Sequence, residues 1–294
     1  MSETQQQFIQ DILNKVYPYL NQPTNEFYLP KYLQKNGLDP YSPPPGSTWE
    51  IHNLNDQSVL DQIGPVCSAI QINADTNPCS GAQYYNAVPN KGPDITLSNI
   101  VVTGVSNAYV ESATAVSSDG YTIEIVVNFS TLSNFQSSIT VTGNFSLTLY
   151  CCCGTGQTGC LQSGAPGSPE VGSGTFVIKI SSSSAKGTIQ ITDLAEGTLD
   201  LEAKSVVYTA DAKNISITPT ITSIPKDTEK SYNNLVQEAF GSPDTLKFVL
   251  AQVNVQLNTQ SALNLMGSII SKDLDAFLQA NHQYPFDKSS SAAF

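Results

Sequence analysis

Arginine is absent from this chain: its 13 basic residues are all lysine, against 25 acids, for a net charge of −12. Nucleic-acid recognition draws on basic patches, and above all on arginine for base and phosphate contacts. No nucleic-acid partner is therefore expected, and the same charge disfavours simple electrostatic docking on an anionic bilayer. Charged residues of both signs reach only 13%, about half of the ~25% usual in soluble domains. Ser, Thr, Asn, Gln and Gly fill the gap. No apolar run approaches the ~20 residues of a transmembrane helix. The opening "MSETQQQFIQDILNK" lacks both the basic and the apolar stretch of a leader, so the chain reads as cytoplasmic as written and as secreted if a leader has been removed.

The means for catalysis are equally sparse. Only His52 and His282 occur, far apart, and neither a G-x-S-x-G elbow nor an H-E-x-x-H helix is present. "GTGQTG", with Gly154, Gly156 and Gly159, matches G-x-G-x-x-G, but "CLQSGAPGSPEVGSG" follows it where a dinucleotide site needs a helix. The six cysteines are Cys67, Cys79, Cys151, Cys152, Cys153 and Cys160. "CCCGTGQTGC" has neither paired zinc spacing nor a nearby histidine. Free thiols or a local loop disulfide are expected there, and a Cys67–Cys79 clip is open to an oxidising compartment. Three glycosylation triplets begin at Asn128, Asn144 and Asn214, all inside strand patterns. The expectation is a protein that is not an enzyme and holds no metal or resident cofactor.

What the chain does have is alternation. "YTIEIVVNFS" puts Tyr121, Ile123, Ile125, Val127 and Phe129 on one face; "ITVTGNFSLTLY" does so with Val141, Phe145, Leu147 and Leu149; "GTFVIKI" with Phe176, Ile178 and Ile180. "KGTIQITDL", "GTLDLEAKSVVYTA" and "KNISITPTI" continue the pattern, and Asp119-Gly120 marks a hairpin turn. "DITLSNIVVTGVSNAYVESATAV" reads as one ribbon bent at Gly104. One apolar and one polar face is the mark of an antiparallel sheet covered on one side. Only helices remain to cover it. One is short and N-terminal, with Phe8, Ile12, Leu13, Val16 and Leu20 at helical spacing. "NDQSVLDQIGPVCSAIQI" is open between a short helix and an edge strand. The last stretch, 243–282, carries a long stripe that includes Leu246, Val249, Val253, Leu257, Met266, Ile270 and Leu274. Unbroken, it would run roughly 50–60 Å. Such a stripe either packs as core or leaves a channel against the sheet.

The element order, with "FIQDILNKVYPYL", "LPKYLQKNGLDPY", "ITLSNIVVTGVSNAYV", "GSGTFVIKI" and "SYNNLVQEAF", resembles the tubular lipid-binding (TULIP) superfamily, in particular the insect takeout and juvenile-hormone-binding proteins and the mite group-seven allergens. The cysteine loop and the absence of an N-terminal cysteine depart from that pattern. The resemblance implies an α+β fold: a long, strongly curved antiparallel β-sheet wrapped around a long C-terminal α-helix, with a short N-terminal helix. Residues 1–50 would pack on a single tubular domain of 51–294. It further implies an apolar channel lined by Ile123, Ile125, Val127, Phe145, Leu147, Leu149, Phe176 and Ile178 from the sheet and Val253, Leu257, Met266 and Ile270 from the helix. The expected function is binding or transport of a lipid or other hydrophobic small molecule, a bound fatty acid being one form. A homodimer and transient membrane contact are compatible with it. The alternative is a secreted β-rich effector, a pore-forming toxin or toxin accessory, whose amphipathic strands would refold into a barrel.

Overall fold

The computed structural model describes residues 3–24, 28–72, 84–88, 91–116, 121–129, 139–154, 168–195, 198–224 and 228–280. The fold is α+β, with antiparallel strands in the middle of the chain and helices at both ends. The strands form two sheets. The first holds β1 (Trp49–Ile51), β3 (Asp94–Thr103), β6 (Ile139–Gly154), β7 (Ser168–Ile180) and β10 (Ile215–Ser223) in that order, with β2 (Tyr84–Ala87) pairing the far end of β6. The second holds β4 (Tyr109–Ala115), β5 (Thr122–Asn128), β8 (Ser183–Ala195) and β9 (Thr198–Ala210).

The chain passes between the sheets in bent ribbons. β3 runs into β4 through Gly104, whose φ of +86° only glycine adopts freely, and a 3-10 turn at Val105–Asn107. β7 runs into β8 across residues 181–182, and β9 into β10 across a 3-10 turn at Ala212–Asn214. The bend expected at Gly104 is therefore repeated in neighbouring ribbons, and it divides what alternation alone reads as one curved sheet.

The first sheet is covered by α3 (Gln57–Ile72) and α4 (Glu229–Gly241), and its face is filled. Phe145, Leu147, Leu149, Phe176 and Ile178 are all essentially inaccessible. Phe240 of α4 sits edge-on to Phe145, ring centres 5.0 Å apart, and stacks on Phe176 at 6.2 Å. Tyr232 of α4 donates its hydroxyl to the Leu147 carbonyl at 3.2 Å. Glycines make room for these rings: a Cβ at Gly172 would lie 2.1 Å from Tyr232 Oη, and one at Gly174 2.1 Å from the Thr220 carbonyl oxygen. The ambiguous 57–72 segment is a helix, with Pro65 inside it.

Cys67 of α3 and Cys151 of β6 form a disulfide, with Cα atoms 5.7 Å apart and both residues fully buried. This replaces the expected free thiols or Cys67–Cys79 clip. Cys151 follows the inward positions of β6, directly beneath α3, so the bond staples helix to sheet. Cys152 is disulfide-bonded as well. The G-x-G-x-x-G glycines beyond Gly154 lie outside the described residues, as does His282.

The C-terminal stripe is not one helix. Ser242 separates α4 from α5 (Pro243–Leu257) and caps it, its Oγ accepting from Thr245 N–H at 3.1 Å. A second break at Asn258 and Thr259 separates α5 from α6 (Gln260–Ala280). Thr259 Oγ1 accepts from Ala262 N–H and so restarts the helix. The two pieces span about 22 and 31 Å. α1 (Glu3–Leu20) lies along β4, and α5 and α6 lie along β9. A short α2 (Leu29–Lys35) packs on the 3-10 turn after Gly104. There Asp39 accepts from Gly104 N–H, Ser106 N–H and Ser106 Oγ.

Candidate functional site

The second sheet is built differently from the first. Its outward face is polar, and the ion pairs Lys186–Glu124 and Lys204–Glu202, each 2.6 Å, lie on it. Cross-strand register fixes the inward face, because paired residues share a face. One row reads Ala115, Ile123, Ile189, Ala203; the next Ala113, Ile125, Gly187, Val206; the third Val110, Val127, Ala185, Tyr208.

In the first row Ile123 and Ile189 are as buried as the edges, but burial along the second and third rows is inverted. In a fully covered sheet the central strands are the most enclosed. Here the edge residues Val110, Ala113, Ala115, Ala203, Val206 and Tyr208 are buried, whereas Ile125, Val127, Ala185 and Gly187 on the central strands remain partly exposed. The space at the centre is open: a Cβ on Gly187 would meet only the Ile125 carbonyl oxygen, 3.9 Å away, among the described residues. At Gly267 of α6, by contrast, a Cβ would lie 2.8 Å from the Leu201 carbonyl oxygen. The helix backbone presses on the edge strand, and the middle of the sheet is left bare.

Side-chain amides hold the helices at the edges. On β9, Asn254 Oδ1 accepts from Tyr208 N–H at 2.7 Å while its Nδ2 donates to the Tyr208 carbonyl at 3.0 Å. Asn258 does the same at Val206, at 2.9 and 2.6 Å. Ser271 Oγ accepts from Leu201 N–H at 2.9 Å. On β4, Gln10 accepts from Ala115 N–H and donates to the Ala113 carbonyl, at 2.9 and 3.1 Å. Asn21 brackets Val110 at 2.8 and 2.7 Å. These amides serve both open edges as surrogate strands, satisfying groups that would otherwise be free to pair with another chain.

The result is an apolar trough with α1 on one side and α5–α6 on the other, floored by β5 and β8. Of the residues expected to line a channel, Ile123, Ile125 and Val127 belong to its floor. Ile270 packs on the cluster formed by α1 and the floor, Leu257 and Met266 on the Val206–Leu263 cluster, and Val253 at the end nearer the first sheet. Phe145, Leu147, Leu149, Phe176 and Ile178 are not in the trough; they lie in the filled core under α3 and α4.

Two polar groups at that end were not singled out by sequence. Tyr208 Oη and Ser183 Oγ are buried and have no hydrogen-bond partner among the described residues. Burial pushes the Tyr208 phenol above its usual range, and the nearby Ser183 side chain offsets part of this. The two hydroxyls nevertheless fall short of ordinary hydrogen-bond geometry with each other. Ser183 also borders a shallow polar depression shared with Asn128, Ser184, Thr209, Asp211 and Asn214. Only the inward phase of Ser183 and Tyr208, in step with Ala185 and Val206, could have drawn attention to them. His52 lies well away, exposed, against Glu50 and Asp94. No helix among the described residues is long and apolar enough to cross a membrane, and those residues hold no cluster of metal-ligating side chains.

No family model and no curated protein matches the chain. Comparison with solved structures finds similar chains at low identity and low TM-score. Takeout 1 of Epiphyas postvittana is similar over 79% of this chain and 92% of its own, at 15% identity and a TM-score of 0.28. A lipopolysaccharide binding protein is similar over 80% of this chain and 42% of its own, at 10% identity and a TM-score of 0.28.

Proposed function

We propose that the chain binds a lipid or other hydrophobic small molecule in the trough over its second sheet, as a carrier and not as an enzyme acting on that molecule. The carrying observation is the bare centre of the inward face, open above Gly187 and bounded by half-buried apolar side chains on two helices. Apolar surface left in this state is costly in water, about 25 cal/mol per Å², and a hydrocarbon chain laid along it would relieve that cost. Ile123, Ile125, Val127, Val253, Leu257, Met266 and Ile270 are the proposed lining. The flexible thioether of Met266 suits an adaptable wall. Phe145, Leu147, Leu149, Phe176 and Ile178 are proposed to act as the rigid core from which the trough extends. The buried Cys67–Cys151 bond favours maturation in an oxidising compartment, so the carrier is proposed to work there.

The test is native mass spectrometry of the purified protein beside organic extraction of the same sample. A mass excess of a few hundred daltons that disappears on denaturation, with lipid in the extract, is the expected result. A clean mass together with no uptake of an added hydrocarbon probe would sink the proposal.

A further inference from the structure

The helix α2 ends on a chemically reactive step. Asn36 is followed by Gly37, the one Asn-Gly step in the sequence. Both residues are exposed, and a Cβ on Gly37 would meet nothing within 4 Å among the described residues. Asparagine in this setting can convert itself. The Gly37 backbone nitrogen attacks Asn36 Cγ and gives up its proton. The new C–N bond closes a five-membered imide, and the side-chain amide nitrogen leaves as ammonia. Water then opens the ring at either carbonyl and returns aspartate or isoaspartate. One water is taken up and one ammonia released, with no oxidant and no enzyme. Glycine, having no side chain, obstructs the attack least.

In the folded chain the step is held shut. Gly37 adopts φ of +70° and closes the helix. Its N–H donates to the Gln34 carbonyl at 3.1 Å, and Leu38 N–H donates to the Leu33 carbonyl at 2.9 Å. Asn36 has ψ of 10°, which turns the Gly37 nitrogen toward the Asn36 backbone nitrogen and away from its side chain. Asn36 Nδ2 is itself engaged, donating to the Tyr32 carbonyl at 2.9 Å. Attack therefore waits for this cap to open. α2 is seven residues long and none of them is fully buried, so that opening is local and needs no global unfolding.

What α2 carries makes the conversion consequential. Gln34 Nε2 donates to Ser106 Oγ at 3.1 Å. Asp39, just beyond Asn36, accepts from Gly104 N–H at 3.0 Å and from Ser106 N–H at 2.7 Å. Both grip the bend where β3 passes into β4. Conversion places a carboxylate at the negative end of the helix and removes the donor to Tyr32. The iso form also inserts a methylene into the backbone between α2 and Asp39.

We propose that Asn36 is a self-modifying site, a timer that the α2 cap keeps slow and that, once run, loosens the grip of Gln34 and Asp39 on the Gly104 bend. The full chain, Asn36→Gln and Asn36→Asp are aged at mildly alkaline pH and followed by tandem mass spectrometry, beside the free peptide YLQKNGLDP. Glutamine would have to close a six-membered ring and should stay unconverted. Asn36 should convert before any other asparagine of the folded chain, to both aspartate and isoaspartate. It should do so about ten- to a hundredfold more slowly than in the peptide, the factor being the population of the opened cap. Urea below the global transition should narrow that gap. Aged wild type should melt about 1–4 °C lower, with faster hydrogen exchange at the Ser106 amide. Asn36→Asp should show part of that loss, and aged Asn36→Gln none. Conversion of another asparagine first, conversion as fast as in the peptide, or aged protein that melts and exchanges at Ser106 like fresh protein overturns the proposal.

Discussion

Filling the trough from its floor makes the sharpest use of the contrast between glycines. At Gly187 the chain is an ordinary strand with φ outside the left-handed region, and the inward direction is open. Replacing it by leucine starts a side chain into that space with its Cβ clear of described neighbours, the Ile125 carbonyl oxygen at 3.9 Å being the one atom it meets. Glycine in a strand costs roughly 0.5–1 kcal/mol relative to alanine through unfolded-chain entropy. Gly187→Leu should therefore hold or raise stability by about that amount, a rise in Tm of about 1–3 °C for a chain of this size. The same side chain occupies the volume proposed for ligand, so uptake of pyrene or extractable lipid should fall by tenfold or more. Gly174→Ala is the matched control. Its Cβ would lie 2.1 Å from the Thr220 carbonyl oxygen and 2.7 Å from Phe145 Cε1, so backbone must move and stability should drop by about 2 kcal/mol or more. Differential scanning calorimetry with and without ligand reads both effects. A Gly187→Leu protein that melts several degrees below wild type and still takes up ligand would refute the reasoning, because it would mean the floor is packed and the ligand sits elsewhere.

Other outcomes follow from the same geometry. Removing the Cys67–Cys151 bond by the double alanine variant frees a loop of 84 residues, and loop-closure entropy puts the loss at about 4.5 kcal/mol, readable as a shift in urea midpoint. Asn258→Ala unpairs Val206 N–H and its carbonyl and should cost about 1–3 kcal/mol, with faster amide exchange at Val206 in particular. Asp94 is opposed by burial, but hydrogen bonds from Tyr150 Oη and Asn53 N–H, with Lys91 and His52 nearby, hold its carboxyl below the ordinary value. Its contribution is therefore complete above the unfolded carboxylate range near pH 4 and is lost as pH falls through the lower folded value. Asp94→Asn should flatten the acid limb of a Tm-versus-pH curve and lower the plateau by about 1–2 kcal/mol.

The strands were legible because their inward residues recur every second position: Ile123, Ile125 and Val127, or Phe145, Leu147 and Leu149. Alternation names a face but not its neighbour. Nothing in "FSLTLY" tells that Phe145 meets Phe240 of α4 and is fully covered, whereas Ile125 packs on the α1 cluster and stays partly exposed; that is decided by which helix crosses which half of a bent ribbon. The break at Asn258-Thr259 was present as a helix end followed by a cap, yet the apolar stripe runs through it, since both pieces face the same sheet. The Cys67–Cys151 pairing was hidden by a sequence separation of 84, and local spacing carries no information about it. The site's polar end was the least legible feature, because a tyrosine and a serine in phase with apolar neighbours look like ordinary strand residues until their partners are counted.

The amides along β4 and β9 do more than seal two edges. They set a gauge. Three strand-to-strand spacings separate the edges, about 14 Å, while two helices in direct contact need only 8–10 Å between axes. Helices pinned to opposite edges are therefore kept apart by a gap that the sheet sets, not by contact with each other. Neither helix can close that gap without breaking paired hydrogen bonds to strand backbone. The width of the trough is thus a property of strand number and not of helix packing.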